Sequence, residues 1–137
     1  VVFCGYGEPT LRLDALIEIA RSLKARGVRV RLNTDGLANL VHGRDVIPEL
    51  APCIDALSVS LNAHDAATYA KYCPSGPRTR NDAYEAVKAF IRAAKGRIAD
   101  VQATAVTMPD VDIEACRRIA EVDLGVRFLA RSLNNVG

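Results

Sequence analysis

The residues of this 137-residue chain best suited to chemistry lie in short polar turns that each follow an apolar run. The first is CGYGEPT, Cys4 to Thr10, directly after Val1, Val2 and Phe3. Glycine in such a turn lets a backbone approach a ligand closely, and an acid beside it offers an acceptor. Further turns of the same kind follow: NTDG from Asn33, NAHD from Asn62, TMPD from Thr107 and SLNN from Ser132. If the runs are parallel strands linked by helices, all five turns share one rim, the carboxyl rim at which α/β barrels and open α/β sheets bind ligands.

GYGEPT could open a dinucleotide fingerprint, but Thr10 stands where the third glycine belongs. Pro9 also removes an amide that a phosphate cradle would use. No Walker pattern occurs, and no Ser-His-Asp order stands out. His42 and His64 lie in polar stretches and read as solvated side chains. The cysteines at 4, 53, 73 and 116 are 20 residues or more apart, too far for a short chelating motif, and read as apolar thiols in a reducing cytoplasm. With 18 basic and 16 acidic residues, net charge +2, the chain carries no field that argues for nucleic acid, and no apolar run approaches the roughly 18 residues of a membrane span. A small-molecule partner fits better.

The elements that must position these turns alternate in type. Strands are predicted at 1–4, 28–32, 56–61, 100–106 and 126–131. Helical patterns fall over LRLDALIEIARSLKARG, near Arg44 to Leu50, at Ala66 to Tyr72, over RNDAYEAVKAFIRAAKG and over DIEACRRIAEV, with CPSGP, Cys73 to Pro77, as a loop break. Such alternation specifies α/β architecture with a parallel sheet in one domain over residues 1–137. Within the strands, Val28, Val30 and Leu32 alternate with Arg29, Arg31 and Asn33, and Leu57, Val59 and Leu61 with Ser58, Ser60 and Asn62. The pattern is weaker where Val101, Ala103 and Ala105 alternate with Gln102 and Thr104. One apolar face under helices and one polar face toward a lumen is a barrel pattern. Arg29, Arg31 and Gln102 face that lumen as candidates for an anionic or polar substrate. The opposing reading makes the arginines edge-strand or ion-pair residues.

Four stretches in this order resemble the radical SAM superfamily: CGYGEPTLR its GGEP strand end, VRLNTDGLAN its TTNG strand, DALSVSLNAHDAATYAKY its VSLDA strand, and VRFLARSLNNVG its last SAM-contacting strand. The nearest flavour is the GTP-cyclising branch of molybdenum cofactor biosynthesis and the radical SAM group associated with TatD-type nucleases. The resemblance implies a partial (βα)6 TIM-like barrel, of which the chain holds strands two to six with the first strand missing. It implies S-adenosyl-L-methionine (SAM) and a 4Fe-4S cluster as cofactors, and reductive cleavage of SAM to start radical chemistry. Gly7, Glu8 and Pro9 would present backbone groups to the SAM amino group. Asn33, in place of threonine, would contact SAM, and Ser60 would meet the methionine carboxylate. Asn62 replaces the usual aspartate, Thr104 would reach the ribose and Leu133 would pack the adenine.

The departure is the cluster loop, since no C-x3-C-x2-C occurs in these residues. The expectation is that the chain alone lacks the cluster's ligands and is inactive, the cysteines lying upstream of Val1. An open barrel piece would also self-associate through exposed strand edges. Two other classes remain open: a nucleotide-binding, Rossmann-like oxidoreductase domain, and a non-catalytic binding remnant.

Overall fold

The computed structural model describes residues 1–74 and 82–133. Five strands, β1 (Val2–Phe3), β2 (Arg31–Thr34), β3 (Ala56–Ser60), β4 (Asp100–Val106) and β5 (Arg127–Arg131), form one sheet in sequence order. Every adjacent pair is parallel. Helices link them: α1 (Leu13–Ala25), α2 (Ala38–His42), α3 (Ile47–Leu50), α4 (Ala66–Tyr72), α5 (Ala83–Ala94) and α6 (Ile113–Arg118). The architecture is α/β, an open partial barrel with its helices on one side, and β1 and β5 are the sheet's two edges.

Each helix follows from its apolar spacing. In α1, Leu13, Leu16, Ile17 and Ala20 recur at three- and four-residue intervals and are all buried, and Gly27 just past its end takes a left-handed φ of 74°. In α5, Ala83, Val87, Phe90 and Ala94 are fully buried in the same way. Burying a side chain such as Phe90 contributes about 1.5–3 kcal/mol.

The boundaries shift where side chains take over backbone hydrogen bonds. β2 begins at Arg31 rather than Val28 because the Val30 N–H donates to Asp55 Oδ2 at 2.7 Å instead of to a strand. Lys24 pairs with the same carboxylate, and this bond, with the Val30 N–H next, lowers the Asp55 pKa. The helix expected near Arg44 to Leu50 is α3, shortened to Ile47–Leu50, and ahead of it stands α2, which the sequence pattern did not predict and which Gly43 closes in the left-handed region. The Asp45 and Asn39 side chains then accept the Ile47 and Val46 N–H groups and start α3. After Arg118 the last helix loosens into one π turn, in which the Leu124 N–H reaches Ile119 O. Residues 75–77 of the expected loop break, the first two of the expected fourth helix, and Asn134 and Asn135 lie outside the described residues.

Register fixes the two faces of the sheet, since directly paired residues in parallel strands point to the same side. Leu32, Leu57 and Val101 form one row, and Val59 and Ala103 sit one row higher; all five are buried in the core with residues of the helices. On the other face Asn33, Ser58, Gln102 and Arg127 form a polar row across four strands, and Ser60, Thr104 and Leu129 form the next. The expected two-faced sheet is therefore present. It departs from expectation at its centre, where Ser58, Gln102 and Thr104 are buried rather than wet. Direct cross-strand pairing brings Ser58 and Gln102 together, and Gln102 Nε2 donates to Ser58 Oγ at 3.1 Å.

Candidate functional site

The carboxyl rim is organised by Glu8. Pro9 occupies the first position of a short 3-10 turn over Pro9–Arg12, and the extended backbone of Glu8 caps that turn. Glu8 Oε1 accepts the Thr10 N–H at 3.1 Å, the Thr10 hydroxyl at 2.7 Å and the Thr34 hydroxyl at 2.7 Å. Oε2 accepts the Asp35 N–H at 2.8 Å. Four hydrogen bonds to one carboxylate join the turn after β1 to the end of β2. The side chain is committed to the protein, so the turn has its backbone and its two glycines to offer a ligand. Gly7 faces open space: a Cβ there would meet nothing within 4 Å.

Asn33 lies half-buried on the polar face of β2, and Arg31 Nε donates to its Oδ1 at 3.1 Å. Ser60 and Thr104 are paired in register one row nearer the rim. Thr104 O accepts the N–H groups of Leu61 at 2.8 Å and Asn62 at 3.1 Å, and the chain there turns through a left-handed Asn62, φ 61°. Asparagine and aspartate tolerate this conformation better than other non-glycine residues. Asn62 Nδ2 donates to Cys73 Sγ at 3.6 Å. Burial raises the Cys73 pKa, and the Asn62 amide opposes that rise. Burial likewise raises the pKa of Asp35; the Leu37 N–H, donating at 2.9 Å, works against it and the Glu8 charge adds to it.

Gly7, Glu8, Pro9, Asn33, Ser60, Asn62 and Thr104 therefore stand at or near the strand ends of β1 to β4. Leu133 is exposed two residues beyond β5; Leu129, on the same face as Thr104, is nearer the polar rows. Its signal was the period-two spacing that places Arg127, Leu129 and Arg131 on one face and Val126, Phe128 and Ala130 on the other. Thr10 and Thr34, the hydroxyl partners of Glu8, are the other residues that motif reading missed. Of the arginines expected in the lumen, Arg29 is exposed just ahead of β2, on the side opposite the carboxyl rim.

Neither histidine is the free loop residue expected. His42 ends α2 with Nε2 2.8 Å from Thr10 O, and His64 Nδ1 accepts the Asp112 N–H at 3.1 Å. Both fasten neighbouring segments at the rim.

Residues 1–122 match the model of the Radical SAM superfamily. The chain belongs to the radical SAM superfamily. Among curated proteins it is 38% identical over 106 residues to the probable dual-specificity RNA methyltransferase RlmN 1 of Opitutus terrae (strain DSM 11246 / JCM 15787 / PB90-1), a match covering 74% of this chain and 29% of that protein. The chain thus spans less than a third of this radical SAM relative. A solved structure of TYW1 with a lysine-pyruvate adduct bound superimposes with a TM-score of 0.69 at 19% identity, over 99% of this chain and 42% of that one. A domain of pyruvate-formate lyase-activating enzyme from Bacteroides vulgatus ATCC 8482 gives a TM-score of 0.56 at 17% identity, over 96% and 98%. At these identities the two structures speak to the fold, and both carry the same α/β scaffold.

The residues present do not supply an iron-sulfur cluster. Among the described residues no three His, Cys, Asp or Glu side chains converge into a metal-holding group. Cys53 and Cys116 are buried, Cys73 is partly covered and Cys4 is exposed. At the rim the backbone of Gly7 is open and the side chains of Asn33, Ser60 and Asn62 are half-buried, so uncharged polar groups rather than metal ligands face outward there. No helix among the described residues is long and apolar enough to cross a membrane.

Proposed function

We propose that this chain forms the SAM-binding part of a radical SAM enzyme that reductively cleaves SAM to begin radical chemistry on a small molecule. The observation that carries this reading is the Glu8 clamp, which fixes the GEP turn against β2 beside a polar face bearing Asn33, Ser60 and Thr104. In the bound enzyme a 4Fe-4S cluster held outside these residues supplies the electron. The chain's own residues bind and orient: the backbone of Gly7, Glu8 and Pro9 meets the methionine amino group, and Ser60 its carboxylate. Asn33 and Asn62 complete the methionine end, Thr104 meets the ribose and Leu133 covers the adenine. The chain alone does not carry out the cleavage.

Titration calorimetry with SAM and with NAD tests this reading. Binding of SAM, weakened about tenfold by Ser60→Ala, is expected. Heat protection by NAD with indifference to SAM would move the chain to the nucleotide-binding oxidoreductase class, and no response to either would leave a non-catalytic domain.

A second reading comes from the name of the curated relative, an RNA methyltransferase. It makes RNA the substrate of the whole protein in place of a small molecule. Salt-dependent retardation of an RNA hairpin by the chain would favour it, because such binding rests on phosphate contacts. Among the described residues β1 and β5 each pair on one side only, which adds one more expectation, self-association at micromolar concentration, which a monodisperse monomer in sedimentation velocity would refute.

A further inference from the structure

We propose that Arg31 is a positioning residue that holds the Asn33 carboxamide with its amino group turned toward the barrel mouth, so that position 33 recognises an oxygen acceptor of SAM. The inference rests on the SAM reading above and deepens it. Both residues are half-buried on the polar face of β2, two positions apart and therefore on the same side of the strand. Arg31 Nε lies 3.1 Å from Asn33 Oδ1. A guanidinium only donates, so the atom facing it must be the carbonyl oxygen of the amide. Arg31 precedes Asn33 along β2, on the side away from the carboxyl rim, so that oxygen is drawn back from the rim. The amino group, at the opposite end of the carboxamide, is left facing forward with two N–H donors.

The chemistry explains why an arginine belongs there. Threonine, the residue of the TTNG pattern at this place, carries one hydroxyl that both donates and accepts and needs no orientation. Asparagine has two unlike ends and, unheld, can offer either. Held by Arg31 it offers donors alone, which suits a carboxylate or ribose oxygen and rejects an ammonium. Arg31 forms no ion pair with a carboxylate among the described residues, whereas Arg127, in the same polar row as Asn33, is bound twice by Asp100. The guanidinium is thus available to its amide neighbour.

Two readouts on the full chain separate this role from a structural one. Without ligand, the Asn33 side-chain amide pair, assigned by its loss in Asn33→Thr, is expected to be dispersed and slow to exchange in the amide NMR spectrum. In Arg31→Met it is expected to collapse to averaged positions while the backbone spectrum persists. If Arg31→Met does not fold, Arg31→Leu, which likewise has no donor, carries the same expectation. An unchanged Asn33 pair in either folded variant overturns the proposal. With ligand, Arg31→Met is expected to weaken SAM about tenfold beside Asn33 and to leave affinity unchanged beside Thr at position 33. Equal weakening in both backgrounds overturns it, because Arg31 would then act on SAM directly. Failure of every version to bind SAM, with the amide pair responding as expected, sinks the SAM reading and the recognition that rests on it, and leaves the hold of Arg31 on Asn33 standing.

Discussion

The carboxylate of Glu8 and the backbone N–H of Asp35 are joined at 2.8 Å, which ties the turn after β1 to the turn after β2. With the Thr34 hydroxyl 2.7 Å from the other oxygen, one acid bridges two loops that lie 26 residues apart in sequence. Glu8→Ala would leave these donors unpaired in a partly covered site. The expected loss is about 2–4 kcal/mol, read as a lower urea midpoint with an unchanged slope, and SAM binding falls with it. Glu8→Gln keeps one acceptor but turns an amino group toward groups that themselves donate, so it recovers less than half of the loss. A Glu8→Ala midpoint equal to wild type would show that the bridge does not hold the rim.

Gly36 is enclosed on the helix side of the same rim. Its φ is 81°, and a Cβ there would lie 2.6 Å from Val59 Cγ1 and 3.2 Å from Val87 Cγ1. Gly36→Ala therefore combines backbone strain of about 1 kcal/mol with overpacking of about 1–3 kcal/mol. Trimming the obstacle in Gly36→Ala, Val59→Ala relieves the clash and leaves the strain. The double variant should then be less destabilised than the two single losses added together, as a thermal-unfolding cycle reads directly. Strict additivity would mean that β3 and the NTDG turn do not press on each other.

How much of this was legible beforehand varied with the physics involved. The β4 and α4 boundaries were read to the residue, because a polar strand end and the Asp65 cap mark them within the sequence. The two faces of β2 and β3 were equally visible, since alternation of Val and Leu with Arg, Asn and Ser has a period of two. The start of β2 was not, because the Val30 N–H is taken by Asp55, 25 residues away. The burial of Ser58 and Gln102 was hidden for a related reason: only sheet curvature and cross-strand pairing decide whether a polar face stays wet. At the site, GEP announced a turn, but nothing local says that its acid faces Thr34 rather than a ligand.

Asn62 offers a test at the end of β3. Its left-handed backbone, φ 61°, is one that asparagine, aspartate and glycine accept and β-branched residues resist. Asn62→Gly should fall within about 0.5 kcal/mol of wild type, and Asn62→Val should lose about 1–3 kcal/mol. Asn62→Asp should keep the backbone geometry while replacing the amide that donates to Cys73 Sγ. Comparing chemical-denaturation midpoints of the three variants decides the matter. A stable Asn62→Val would mean that the turn relaxes at no cost.

Asp35 gives the pH-dependent case. Burial holds its carboxyl above the ordinary range, and the nearby Glu8 charge adds to the shift against the Leu37 N–H. A group whose folded pKa is raised contributes its full stability below the unfolded value, about 3.9, and loses it as pH rises through the folded value. At pH 7 the ionised Asp35 is therefore a liability, and Asp35→Asn should be the more stable protein. The Asn oxygen can still accept the Leu37 N–H, and the repulsion with Glu8 is gone. Because solvent reaches the carboxyl, the gain should stay under about 1 kcal/mol. It should shrink toward zero as pH falls below about 4, where wild-type Asp35 is protonated as well. Asp55, whose pKa is lowered, contributes equally to both proteins and cancels in the difference. Thermal-unfolding midpoints of the pair between pH 3.5 and 7.5, chosen to span these values, read the effect, and a difference that grows on acidification would reverse the assigned sign.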